Sequence, residues 1–309
     1  METQQEIIKV QKLVKRYGNF TAVDGSEFSV HKGEVFGLLG PNGAGKTTTL
    51  EMLVGLRKPD EGTAIVGGFD ISKELDRVKE VIGVQLQSTT LFELLTVEEI
   101  LHLYGSFYPE HISIPDLIED MLLTEKKNSR IKGLSGGQKQ RLAIALALVH
   151  DPQIIFLDEP TTGLDPQARR TLWDIILRLK DRGKTVVLTT HYMDEAHVLC
   201  DRIAIMDQGK LIALDTPSEL VKNLQSDSAV EFKFNEEDVD VILSEIDGVK
   251  QVGSQKDVHV LYTDDLQNTL MSLIAIASEK NLKLVDLQTR TATLEDVFIH
   301  MTGRRLREG

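Results

Sequence analysis

The sequence predicts an α/β fold whose parallel sheet carries a glycine-rich loop, followed by a small α+β domain. Three observations predict it. The apolar run Val35 to Leu39 leads directly into Gly40-Pro41-Asn42-Gly43-Ala44-Gly45-Lys46-Thr47, which fits GxxxxGK[ST] at every fixed position. A second apolar run, Ile154 to Leu157, ends in the paired acids Asp158 and Glu159. After Leu220 the pattern changes to short strand-like and helix-like stretches in the order β-α-β-β-α-β.

Along the chain, Ile7 to Val30 shows β-like runs with turn signals at Tyr17-Gly18-Asn19 and Asp24-Gly25. The glycine-rich loop then names a ligand class. Its backbone amides approach phosphate oxygens without side-chain collision, so a nucleoside triphosphate is expected. Lys46 is expected to reach the β- and γ-phosphates, and the Thr47 hydroxyl to hold Mg²⁺. Thr48 to Gly55 continues as a helix whose N-terminal dipole faces the same anion. Between Gln87 and Ser135 strand signals vanish and helices are expected, for example over Val97 to Phe107 and Ile114 to Leu123.

Leu134-Ser135-Gly136-Gly137-Gln138 precedes a helix-compatible stretch, Lys139 to Val149, with Leu142, Ala145, Leu146 and Val149 on one face. Ser135 is the expected N-cap, leaving the Gly136 and Gly137 amides open to an anion. The run ending at Asp158 and Glu159 reads as a buried strand delivering both acids to the carboxyl edge of the sheet, where ligands of open α/β sheets bind. Asp158 suits the Mg²⁺ shell. Glu159 suits orienting and deprotonating the water that attacks the γ-phosphate.

These segments, in this order, resemble the ATP-binding cassette family, the nucleotide-binding subunits of ABC transporters. The resemblance implies a P-loop NTPase with a RecA-like core, an antiparallel β subdomain and a helical subdomain at about 88–150. That domain is expected over 1–222, with a ferredoxin-like accessory α+β domain over 223–309. Tyr17 matches the aromatic that stacks on adenine. Gln87 matches the glutamine that reaches Mg²⁺ and the attacking water; Gln85 leaves the register open by a step, and Leu86 stands where many members have proline. Asp165, in Gly163-Leu164-Asp165, matches the loop that crosses the dimer interface. His191, after the strand Thr185 to Leu188, matches the histidine that contacts the γ-phosphate. Together with Gly40 to Thr48, the residues Ser135, Gly136, Gly137, Gln138 and Asp165 form the implied ATP-binding set. Thr47, Gln87 and Asp158 form the implied metal set.

Within the family the signature at Ser135 completes the site of a second, antiparallel copy. The implied partners are therefore another copy of this chain, closing on two ATP molecules, and an integral membrane permease pushed by that closure. Thr293 to Gly303 resembles the terminal helix of the daunorubicin-resistance-type subgroup, which powers type-2 ABC exporters. Asp194-Glu195-Ala196 and Asp207-Gln208-Gly209-Lys210 suit the same subgroup. Cargo choice belongs to the membrane subunit. The competing expectation is a soluble ABC-type ATPase acting on a ribosome, DNA or a protein complex. Against it, each motif occurs once and no long coiled-coil arm or basic face is visible.

Composition limits the remaining classes. A formal net charge of -13 argues against a nucleic-acid-binding surface, because phosphate contacts need clustered Lys and Arg. The one basic cluster, Arg304-Arg305-Arg307, reads as a solvated tail. The longest apolar run, Leu142 to Val149, is far short of the roughly 20 residues that span a bilayer. No signal-peptide pattern opens the chain, and the single Cys200 excludes an intramolecular disulfide. The expected location is cytoplasmic, peripheral on the inner face of the cell membrane through the permease. No catalytic constellation appears after Leu220, where packing or dimer support is the expected role.

Overall fold

Two long strands, β1 (Glu6–Tyr17) and β2 (Phe20–His31), open the chain in the computed structural model, which describes residues 5–87, 90–224, 228–233, 243, 246–255, 258–280 and 282–302. They pair antiparallel around the expected Gly18-Asn19 turn. Asp24-Gly25 is not a turn. Between the pairs Leu13↔Ser26 and Lys15↔Val23 the second strand uses one residue more than the first. Gly25, at φ 69°, supplies the left-handed kink that this bulge needs.

The next elements are β3 (Val35–Leu39), α1 (Lys46–Leu53), β4 (Glu61–Val66), β5 (Phe69–Asp70), α2 (Leu75–Val81) and β6 (Ile82–Gln85). The first sheet is completed in the order β2-β1-β4-β5. The helical stretch holds α3 (Val97–Gly105), α4 (Ile114–Asp120) and α5 (Gly136–Leu148). Thr96 and Glu99 close a capping box at the start of α3. Its end comes earlier than expected, at Gly105, where a Cβ would lie 3.1 Å from the His111 ring. The apolar surface of α5 is wider than the single expected face: every residue from Leu142 to Val149 is buried, because the helix packs on the sheet as well as on its helical neighbours. At Gly83 of β6 the approach is so close that a Cβ would fall 2.0 Å from the Ala147 carbonyl oxygen.

Then follow β7 (Ile154–Asp158), α6 (Pro166–Asp181), β8 (Thr185–Thr190), α7 (Met193–Leu199), β9 (Arg202–Asp207) and β10 (Lys210–Asp215). The second sheet runs in the order β10-β9-β3-β8-β7-β6, with parallel pairing from β9 through β6. β3, β7 and β8 are buried at every position, as expected for parallel strands covered on both faces. The order places β8 between β3 and β7. The loop after β3 and the acids ending β7 therefore meet on either side of the end of β8.

The chain divides into two units, Met1–Leu214 and Asp215–Gly309. The second contains α8 (Pro217–Lys222), β11 (Ser228–Lys233), β12 (Val249–Gln255), β13 (Val258–Thr263), α9 (Leu266–Glu279), β14 (Val285–Thr291) and α10 (Leu294–Thr302). Its antiparallel sheet has the order β12-β13-β11-β14, in which the first and third strands are central, the ferredoxin-like arrangement. The helix expected over Glu237 to Ile246 lies outside the described residues except for Leu243 and Ile246, both buried. Arg304, Arg305 and Arg307 also lie outside them. The last strand starts later than the expected Leu282. Leu282 and Leu284 pack against this unit's core instead, while β14 is an edge strand with mostly exposed side chains, so the apolar signal precedes the strand. Asp296, at the start of α10, accepts hydrogen bonds from Tyr262 Oη (2.8 Å), Arg290 and the Thr293 amide.

Among the described residues no helix is long and apolar enough to cross a membrane.

Candidate active site

The loop after β3 is held by backbone contacts that exclude side chains. A Cβ on Gly40 would lie 2.2 Å from Met206 O, and one on Gly45, at φ 101°, would lie 2.4 Å from Ala22 O. Only glycine meets both demands. The Gly40 amide donates to Thr190 O and the Gly209 amide to Ala44 O, which ties the loop to the ends of β8 and β9. Asn42 and Gly43 are exposed at its crest. Lys46 is buried, its ammonium donating to Gly40 O at 2.8 Å and Pro41 O at 3.2 Å. Burial pushes its pKa down, and the charge of Glu159, with Oε1 at 3.4 Å, works against that shift. Thr47 and Thr48 occupy the first turn of α1.

At the end of β7, Asp158 Oδ1 accepts from Thr47 Oγ1 at 3.1 Å and from Thr189 Oγ1 at 2.6 Å. Burial pushes the Asp158 carboxyl up, opposed by those two hydroxyls. Glu159 follows at φ 46°, and its amide donates to the same Thr189 oxygen at 2.9 Å. Its carboxylate gathers the rest of the site: Oε2 accepts from Thr162 Oγ1 at 3.2 Å and Gln87 Nε2 at 3.4 Å, while Oε1 lies 3.3 Å from His191 Nδ1. Lys46, Thr47, Gln87, Asp158, Glu159 and His191 thus converge. The glutamine register resolves as well. Gln85 is buried within β6, opposite Leu157, and donates to Leu86 O, so Gln87 is the one that reaches the acids.

Thr189 and Thr162 are site residues that motif reading passes over. No signal marked Thr189 among the three threonines of its strand, and Thr162 had none beyond its nearness to Glu159. An oxygen set of the Thr47 hydroxyl, the Asp158 carboxylate and the Gln87 amide suits a hard divalent cation that keeps phosphate and water ligands. Among the described residues no group of three or more His, Cys, Asp and Glu is placed to hold a metal by itself.

Other expected residues stand apart from this cluster. Ser135 and Gln138 form a capping box on α5, with Gln138 N to Ser135 Oγ at 3.3 Å and Ser135 N to Gln138 Oε1 at 2.9 Å. Gly136 follows the cap. Gly137 is pressed against α6, where a Cβ would meet Ala168 Cβ at 2.8 Å. Among the described residues no hydrogen bond or ion pair joins this signature segment to the phosphate loop. Asp165 caps α6, accepting from the Ala168 amide at 2.9 Å. Tyr17 is exposed at the end of β1, its ring flanked by Lys15 Nζ at 5.7 Å and the Arg57 guanidinium at 5.6 Å. The return strand of its hairpin brings Ala22 against Gly45 of the phosphate loop.

Residues 23–162 match the family described as ABC transporter. The linearmycin resistance ATP-binding protein LnrL of Bacillus subtilis (strain 168) is 37% identical, over 98% of this chain and 100% of that protein. The Nod factor export ATP-binding protein I of Paraburkholderia xenovorans (strain LB400) is 40% identical, over 97% and 98% respectively. Among solved structures, cbiO1 from Clostridium perfringens, part of the ABC transporter complex cbiONQ, superposes with a TM-score of 0.65 at 28% identity, covering 72% of this chain and 93% of that one. A dimeric ATP-binding cassette in a post-hydrolysis state with ADP and Pi gives 0.61 at 28% identity, covering 68% and 98%.

Proposed function

We propose, for a chain that belongs to the ABC transporter family as one of its ATP-binding subunits, that two copies close around ATP and that the cycle of closure and hydrolysis drives export through a separate integral membrane permease. The observation that carries this reading is the meeting of the phosphate loop and the acid pair, with Thr47 Oγ1 3.1 Å from Asp158 and Lys46 Nζ 3.4 Å from Glu159. A triphosphate on the loop brings its terminal phosphoryl group to the acids.

In this reading Lys46 and the loop amides hold the β- and γ-phosphates, Glu159 takes the proton of the attacking water, and Gln87 and His191 orient the carboxylate and the γ-phosphate. Mg²⁺, held by Thr47, Asp158 and Gln87, would neutralise charge on the phosphates. Tyr17 supplies a face for adenine. Ser135, Gly136, Gly137 and Gln138, which among the described residues share no hydrogen bond or ion pair with their own phosphate loop, press on the γ-phosphate of the other copy, and Asp165 lies at the interface crossing. ATP drives closure only by its higher affinity for the closed pair, and hydrolysis removes that preference. The permease is pushed by the helical subdomain, which places the chain on the cytoplasmic face of the membrane. Residues 223–309 support assembly rather than chemistry.

A mixed dimer tests the shared site. Ser135→Arg blocks the signature and Lys46→Ala disables the phosphate loop. If each site joins two chains, the heterodimer holds one doubly damaged site and one intact one. If each site lies within one chain, it holds none. Differently tagged variants on a Glu159→Gln background should occlude ATP to half the level of the unblocked pair. Occlusion no higher than in either homodimer, with the heterodimer verified, removes the two-chain site.

A further inference from the structure

We infer that Thr189 is a positioning residue for hydrolysis, its one hydroxyl setting both the Asp158 carboxylate and the backbone from which Glu159 projects. The inference rests on the roles given to those two acids above. Thr189 is fully buried on β8 and stands in register with Asp158 of β7. A hydroxyl has one proton to give. Because the Glu159 amide points its own proton at Thr189 Oγ1 at 2.9 Å, the threonine proton goes to Asp158 Oδ1 at 2.6 Å. The direction of both bonds is thereby fixed.

Two consequences follow for the acids. Thr47 and Thr189 both enter Oδ1 of Asp158, so the carboxylate is pinned through that oxygen and Oδ2 takes neither hydroxyl. Glu159 has a left-handed φ of 46°, which residues with a Cβ rarely hold. Its amide bond to Thr189 anchors that conformation where the chain leaves the strand, and the conformation aims the carboxylate at Lys46, Gln87 and His191. Removing the hydroxyl deprives a buried amide of its acceptor and frees both acids to turn.

A packing role makes the opposite demands on substitution. Valine keeps the shape of threonine and loses the hydroxyl; serine keeps the hydroxyl and loses the methyl group. In the full-length protein, a fluorescent ATP analogue is titrated with Mg²⁺ and with EDTA, and phosphate release is measured alongside. Thr189→Val should bind the analogue in EDTA like the wild type, while the gain in affinity from Mg²⁺ and the turnover each fall by about 10- to 100-fold, as for other residues that orient metal ligands. Thr189→Ser should keep both. A valine variant that retains the Mg²⁺ gain and turnover overturns the inference. So does a serine variant that loses them, and that result needs no folded valine variant. Asp158→Asn separates the two levels of the argument: if it behaves like the wild type, the role of Asp158 falls and this inference with it, whereas loss in Asp158→Asn beside retention in Thr189→Val overturns the inference alone.

Discussion

Glu159→Gln preserves the shape of a side chain with four polar neighbours and removes one negative charge 3.4 Å from Lys46 Nζ. Two unit charges about 4 Å apart interact by about 4 kcal/mol at the effective dielectric near 20 that suits such sites. Without nucleotide the variant leaves the buried Lys46 ammonium with the loop carbonyls and the more distant Asp158, so its unfolding free energy should drop by about 3 kcal/mol, the scale of breaking a buried pair. A bound triphosphate replaces the missing charge. ATP should therefore raise the melting temperature of the variant more than that of the wild type. Turnover moves the other way. Loss of the base should slow phosphate release by about 100-fold or more, roughly 2.7 kcal/mol in the barrier. Melting curves with and without ATP, and steady-state phosphate release, measure both effects. Turnover near the wild-type level would remove Glu159 as the base, and equal ATP shifts in the two proteins would refute the Lys46–Glu159 pairing.

Lys46→Ala should weaken nucleotide binding by at least about tenfold, because the phosphates lose a charge-assisted donor in a partly dehydrated site; equilibrium titration with a fluorescent ATP analogue checks this. In the second unit, burial pushes the Asp296 carboxyl up, but Arg290, the Thr293 amide and Tyr262 outweigh it and hold it below the usual carboxylate range. A depressed native pKa contributes stability above the unfolded-state value near ~3.9, and this is lost as pH falls through the folded value. Acid unfolding followed by circular dichroism should therefore show this unit weakening below about pH 4. Asp296→Asn should flatten that dependence and destabilise by about 2 kcal/mol, less than for a fully buried pair because Arg290 remains partly in water.

The parts of the site that were legible in the sequence are those whose chemistry is local. Gly40 and Gly45 stand where the backbone of another strand comes too close for a side chain, and Lys46 and Thr47 follow at a fixed spacing. Ser135 is readable as a cap from its place before the helix, whereas its reciprocal partner Gln138 is set by the folded structure. What was not legible depends on pairing partners distant in the chain. Asp-Gly has the same local preferences in a turn and in a bulge, and only the register of β1 against β2 assigns Asp24-Gly25 to the bulge. Gln85 and Gln87 are equivalent until β6 pairs with β7. Thr189 looks like any strand-forming threonine until Asp158 is set beside it. The late start of β14 belongs to the same class, since Leu282 and Leu284 extend the apolar pattern of Val285 and Leu287 back past the point where pairing begins.

The 13 residues of α5 make a rod about 20 Å long at ~1.5 Å per residue. Near one end, the backbone of Ala147 rests directly on Gly83, with no side chain between them to cushion or slide. The opposite end carries Ser135. Were the rod to pivot at Ala147, a tilt of about 10° would swing Ser135 through about 3 Å, the reach of a hydrogen bond, over the roughly 18 Å between them. Gly83 also belongs to the strand that leads towards Gln87, four residues further along the chain. A side chain introduced at Gly83 would push α5 away from the sheet while leaving every residue of the candidate site unchanged.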